Sequence, residues 1–93
     1  MRRTVRSHLF RGRRLPILYG RLPKGTDGIC FDPNQPGKCI IMRPSLKGQR
    51  KLEAAVHESL HACFWDLDCD NAIHPAAADI SKFLWRLGYR IPD

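Results

Sequence analysis

The chain has 93 residues, 43% of them hydrophobic, and a formal net charge of +7. That length holds one small domain, which buries only about 60% of the surface its unfolded chain exposes, so a metal, a disulfide or a partner would add support. Its apolar runs fall far short of the roughly 20 residues of a membrane span, and neither an apolar signal segment nor a CxxC pair is present.

These absences read as a cytoplasmic protein, in a bacterium or a phage-infected cell, with Cys30, Cys39, Cys63 and Cys69 as free thiols. Charge is uneven along the chain. Residues 1–26 carry eight Lys/Arg and no acid, while the remainder carries eight against nine Asp/Glu. Residues 1–14 read as a basic, flexible arm ahead of a single domain over residues 15–93. Arg2, Arg3, Arg6, Arg11, Arg13 and Arg14 give this arm the electrostatics for non-specific nucleic-acid contact, with no helix-turn-helix or zinc-finger reading head beside it.

Turn signals and β formers fill the next part. LPILYGRLP holds a short strand candidate around Ile17–Leu22. GICFD and KCIIMR read as two strands joined by the turn PNQPG, with Pro44 ending the second. From about Gly48 the pattern becomes helical. At about 100° per residue, Leu52, Val56, Leu60, Cys63 and Leu67 fall within an arc of about 80°, which is expected to face the core. His57 and His61 share the adjoining flank, about 40° apart, with Glu58 farther round. DCDN breaks the helix. A second helix is expected to start near His74, with Pro75 in its first turn, an apolar seam of Ile80, Leu84 and Leu87, and Gly88 as its stop. The fold class is therefore α+β: a short antiparallel β-sheet followed by two packed helices.

Within the first helix stands His57-Glu58-Ser59-Leu60-His61. Histidines at i and i+4 project from one side of a helix, where both can reach one Zn²⁺ at about 2.0–2.1 Å. The glutamate after the first histidine lies off the coordination axis, where it can take a proton from water and pass it to a leaving amine. A catalytic zinc commonly has three protein ligands. Asp68 is about 10 Å along the helix axis from His61 and too far to ligate. Cys69 could ligate only if the loop folds back, and Cys63 falls on the core stripe. Trp65 and Trp85 read as core or core-rim residues, and Tyr89 as a candidate oxyanion donor.

LEAAVHESLHACFWDLD, followed by a helix ending FLWRLGYR, resembles a group of small, mostly phage-encoded HExxH proteins. These look like minimal zincin metallopeptidases of the gluzincin-like type, with SprT-like and ImmA-like proteases as distant relatives. The resemblance covers roughly residues 28–91 and is most specific in HESLHA and LWRLGYR. It implies His57 and His61 as zinc ligands, Glu58 as general base, and a third ligand from the following helix. Asp79, 18 residues after His61, is the first choice, and His74, 13 residues after, the alternative. It also implies an edge strand beside the active-site helix where a peptide substrate pairs in extended form, here KCIIMR. The expected function is peptide-bond hydrolysis by a zinc metallopeptidase. The alternative is a zinc-stabilised module that binds nucleic acid or protein without catalysis.

Overall fold

A computed structural model describes residues 5–91. Its elements are strands β1 (Ser7–Phe10), β2 (Arg13–Tyr19), β3 (Gly28–Cys30) and β4 (Ile40–Met42), then helices α1 (Gly48–Cys63) and α2 (Asp70–Leu87). This is the expected α+β arrangement, with the two helices packed against each other. The sheet order is β1-β2-β4-β3. β1 and β2 form an antiparallel hairpin through a two-residue turn in which Arg11 and Gly12 both have positive φ, the geometry that matches strand twist. β4 pairs antiparallel with β3 but parallel with β2, so the sheet is mixed rather than antiparallel throughout. The residues between β2 and β3 make this possible, because they carry the chain across the sheet instead of turning straight back.

Three sequence expectations change as a result. KCIIMR is not an edge: β4 lies between β2 and β3, and the edge strand beside α1 is β3. Of the Ile17–Leu22 strand candidate only Ile17–Tyr19 is strand, the end of a longer one that begins at Arg13, and residues 20–22 lie outside it. The basic stretch 1–14 is built into the sheet over Ser7–Phe10 and Arg13–Arg14, and Arg2 and Arg3 lie outside the described residues.

The molecule has three layers. α1 packs on the sheet, while α2 packs on α1 and on no strand. Being covered on two sides, α1 has no exposed residue from Lys51 to Cys63. Its fully buried residues are Ala54, Glu58 and Ala62, one row at i, i+4 and i+8. Ala54 and Ala62 join Leu15, Ile40, Met42 and Leu46 in the core. The expected stripe is therefore not the deepest face: Leu52, Val56, Leu60 and Cys63 are half-buried and Leu67 is exposed. Small alanine side chains let the helix approach the sheet closely, and a count of large apolar residues misses that face.

α2 starts at Asp70, one turn earlier than expected, so Pro75 lies inside it. Its buried seam is Ile73, Ala77 and Ser81, whereas Leu84 is half-buried and Ile80 and Leu87 are exposed. Gly88 stops the helix as expected, with φ 101°, the Gly88 N–H donating to Trp85 and the Tyr89 N–H to Leu84. The four cysteines are free and half-buried. No helix among the described residues is long and apolar enough to cross a membrane.

Candidate metal centre

The centre lies on the sheet-facing side of α1, where β3 and the start of α2 meet it. His57 and His61, one helical turn apart, bring their Nε2 atoms to 3.1 Å of each other. Two nitrogens bound to one tetrahedral ion at about 2.0–2.1 Å would stand about 3.3–3.4 Å apart, so the pair fits a shared cation with little adjustment. Burial, reinforced by the nearby His61 and His74, pushes the His57 pKa down and favours the neutral imidazole that a metal needs. Together with a Glu58 carboxylate oxygen, the two ligand nitrogens form a group lying within 4.8 Å, which could hold a metal ion.

Glu58 is only 5% exposed. Burial alone raises its carboxyl to about 7, because the charged form loses its hydration. The sequence makes room for it at one place. A Cβ added at Gly28 would stand 2.9 Å from both Cγ and Oε2 of Glu58, so β3 passes close to the acid only because residue 28 has no side chain. Two residues on, the Cys30 thiol is pushed up to about 12 by burial and by Glu58, which makes it a poor nucleophile or metal ligand as it stands.

A cleft of about 260 Å³ opens beside His57 and Glu58, lined also by Thr26, Gly28, Glu53 and His74 and not by His61. The segment that carries the lining residues Gly25, Thr26 and Asp27 is clamped by two arginines. Arg43 donates to the carbonyls of Leu22, Pro23 and Thr26, and Arg50 makes a bidentate pair with Asp27 at 2.8 Å for each bond.

α2 brings His74 and not Asp79 to the centre. The His74 ring centroid is 5.7 Å from that of His57, and His74 lines the same cleft. Both His74 and Asp79 are exposed and outside the group of His57, Glu58 and His61; what separates them is that Asp79 does not line the cleft. Five residues separate the two, which is about 140° around the helix and about 7.5 Å along it, so an α2 that presents His74 turns Asp79 away. Tyr89 lies beyond the far end of α2, about 22 Å of helix rise from His74, and is 62% exposed, so it takes no part in the site. Asp68 is exposed, and Cys69 is the residue preceding α2; neither belongs to the group. Trp65 and Trp85 are half-buried, as expected for core-rim residues, with Arg13 over one ring at 4.4 Å and Arg90 over the other at 3.5 Å.

Three residues were missed. Asp70 Oδ1 lies 3.8 Å from His61 Nδ1, on the ring edge opposite the one facing His57. At that distance, and with the Asp70 side chain 82% exposed, the contact is a long-range electrostatic one and not a hydrogen bond. Glu53, one turn before His57, was legible from its i−4 spacing. Gly28 carried no such signal, since its role depends on a strand approach that only the fold defines.

No protein family, curated protein or solved structure matches the chain.

Proposed function

We propose that the protein is a small zinc-dependent metallopeptidase of the zincin kind. The observation that carries this reading is the convergence of the His57 and His61 Nε2 atoms at 3.1 Å beside a buried glutamate. His57 and His61 would hold the ion, with His74 rather than Asp79 as the third ligand, because it shares the cleft. When bound, zinc supplies Lewis acidity, which polarises a carbonyl and acidifies water. Glu58 acts as general base. With its pKa raised to about 7 it accepts a proton from water near neutral pH and, once protonated, delivers it to the departing amine. A peptide in extended form pairs with the outer edge of β3, which runs beside α1. A zinc ion with a purely structural role would have no need for a buried acid at this position.

The test combines metal content, by elemental mass spectrometry, with cleavage of fluorescein-labelled casein. The wild type should carry about one zinc per chain and cleave. His57→Ala should lose both. Glu58→Gln should keep zinc and lose cleavage by roughly the 10²–10⁴-fold that general-base catalysis contributes. His74→Ala should lose zinc where Asp79→Ala keeps it. Cleavage that survives Glu58→Gln would rule out this mechanism.

A further inference from the structure

We infer that the cleft between the first half of β2 and the β3–β4 loop is a binding site for the phosphate backbone of single-stranded nucleic acid. The fold opens this cleft for a definite reason. β2 runs from Arg13 to Tyr19 but pairs with β4 only over Ile17–Tyr19. The Ile17 N–H donates towards β1, to the carbonyl of Arg6, so strand alternation turns position 16 to the other side. Position 16 is proline, which offers no donor there. Beside this half of β2 the chain makes the wide turn of residues 33–38 instead of a strand, leaving a cleft of about 590 Å³.

The lining is cationic. It includes Arg13, Arg14 and Lys38, with the side-chain amides of Asn34 and Gln35 between them, and no acid. The nearest carboxylate in sequence, Asp32, is engaged with the Asn34 backbone N–H at 2.8 Å. Arg14 donates to the Ser7 hydroxyl, and Arg13 lies over Trp65 with a long contact to Asn34 Oδ1. None of these partners neutralises charge, and the carboxylate nearest Arg13, Asp66, is engaged by Arg11. Arg11, by contrast, forms a bidentate pair with Asp66 and is taken out of any polyanion contact. The structure therefore moves the nucleic-acid contact expected of residues 1–14 to a built groove and replaces Arg11 with Lys38.

The shape decides between polyanions. Three cations with two neutral amide donors in a concave groove suit a chain of phosphates that enters it, whereas a flat anionic membrane touches only the rim. No aromatic side chain lines the cleft, so bases have no stacking platform and binding is indifferent to sequence.

The test is fluorescence anisotropy of the full chain with a labelled 20-nucleotide oligothymidylate over a range of salt concentrations. Each phosphate contact on a single strand contributes about 0.7 to the slope of log K against log[salt], which is about fivefold in affinity at 0.1 M salt. Arg14→Ala/Lys38→Ala should bind about 25-fold more weakly, with the slope reduced by about 1.4. Lys82→Ala/Arg86→Ala loses the same charge from exposed positions on α2 and should stay within about twofold of wild type. Arg14→Lys/Lys38→Arg keeps the charges and should retain binding, which separates a lost contact from a lost fold. Equal loss in both alanine pairs, or no binding by the wild type at 0.05 M salt, would overturn the proposal. So would binding to phosphatidylserine vesicles without binding to the oligonucleotide.

Discussion

Glu58 and Gly28 are a single device. A carboxylate at 5% exposure beside a glycine is costly to ionise, and the fold carries that cost where the proposed mechanism would use a proton acceptor near neutral pH. The raised pKa fixes the sign of a stability effect. Between an ordinary value of 4.5 and the folded value of about 7, the native state binds a proton that the unfolded chain has released. Metal-free protein therefore loses stability as pH rises through this window, by an amount on the order of 3 kcal/mol when the whole shift is realised. The lowered pKa of His57 acts in the opposite direction, favouring the folded state as pH rises towards 6.5, and it is common to wild type and to Glu58→Gln. In urea melts with a chelator present, Glu58→Gln should match wild type near pH 4.5 and exceed it near pH 8. A gap that stays constant with pH would mean that Glu58 is not held protonated. Gly28→Ala tests the other half. Its Cβ displaces the near end of the Glu58 side chain, so cleavage should fall at least tenfold while zinc content persists, at a cost of about 1–3 kcal/mol in stability.

At the scale of elements, α2 shows how local rules compete. Pro75 suggested a helix start, because proline is free of cost in the first turn. The helix instead begins at Asp70, which places Asp70 beside His61 and His74 beside His57, and proline then sits in the second turn. There it removes the N–H that would donate to the Asn71 carbonyl and crowds that carbonyl. Pro75→Ala should therefore raise stability by about 1–2 kcal/mol in urea denaturation, after allowance for the greater freedom of its unfolded chain. A loss of stability would show that the proline instead sets the angle at which α2 meets α1. The same element marks what was legible in the sequence. HExxH periodicity placed His57, Glu58 and His61 together because they share one continuous helix. The choice of third ligand depended on where the next helix begins, which packing decides and propensity does not. The mixed sheet, with β4 as an inner strand, was hidden for a related reason: GICFD-PNQPG-KCIIMR specifies a hairpin but not which of its strands β2 will join. The alanine face of α1 escaped because burial by close approach leaves no pattern of large apolar residues.

Taken whole, the molecule has little apolar material to hold it together. Among the described residues the largest fully buried side chains are Leu15 and Ser81, three of the eight buried hydrophobic residues are alanines, and Phe83, Leu87, Tyr89 and Leu67 are each more than half exposed. Among the described helices and strands α2 packs on α1 alone, so the third layer rests mainly on one helix–helix interface. A cation bound by His57 and His61 on α1 and by His74 on α2 would tie these two layers directly, and its binding energy becomes folding energy because the unfolded chain holds no such site. At a free zinc concentration 100 times the dissociation constant, the stabilisation is about 2.7 kcal/mol. For a domain this size each kcal/mol moves the melting temperature by about 4–8 °C, so zinc should raise it by roughly 11–22 °C over chelated protein. Thermal melts followed by far-ultraviolet circular dichroism, with zinc and with chelator, measure the shift. His57→Ala and His74→Ala should both show almost none. If His74→Ala kept the full shift, the ion would be bound by α1 alone, and the contact between the helices would depend on packing without help from the metal.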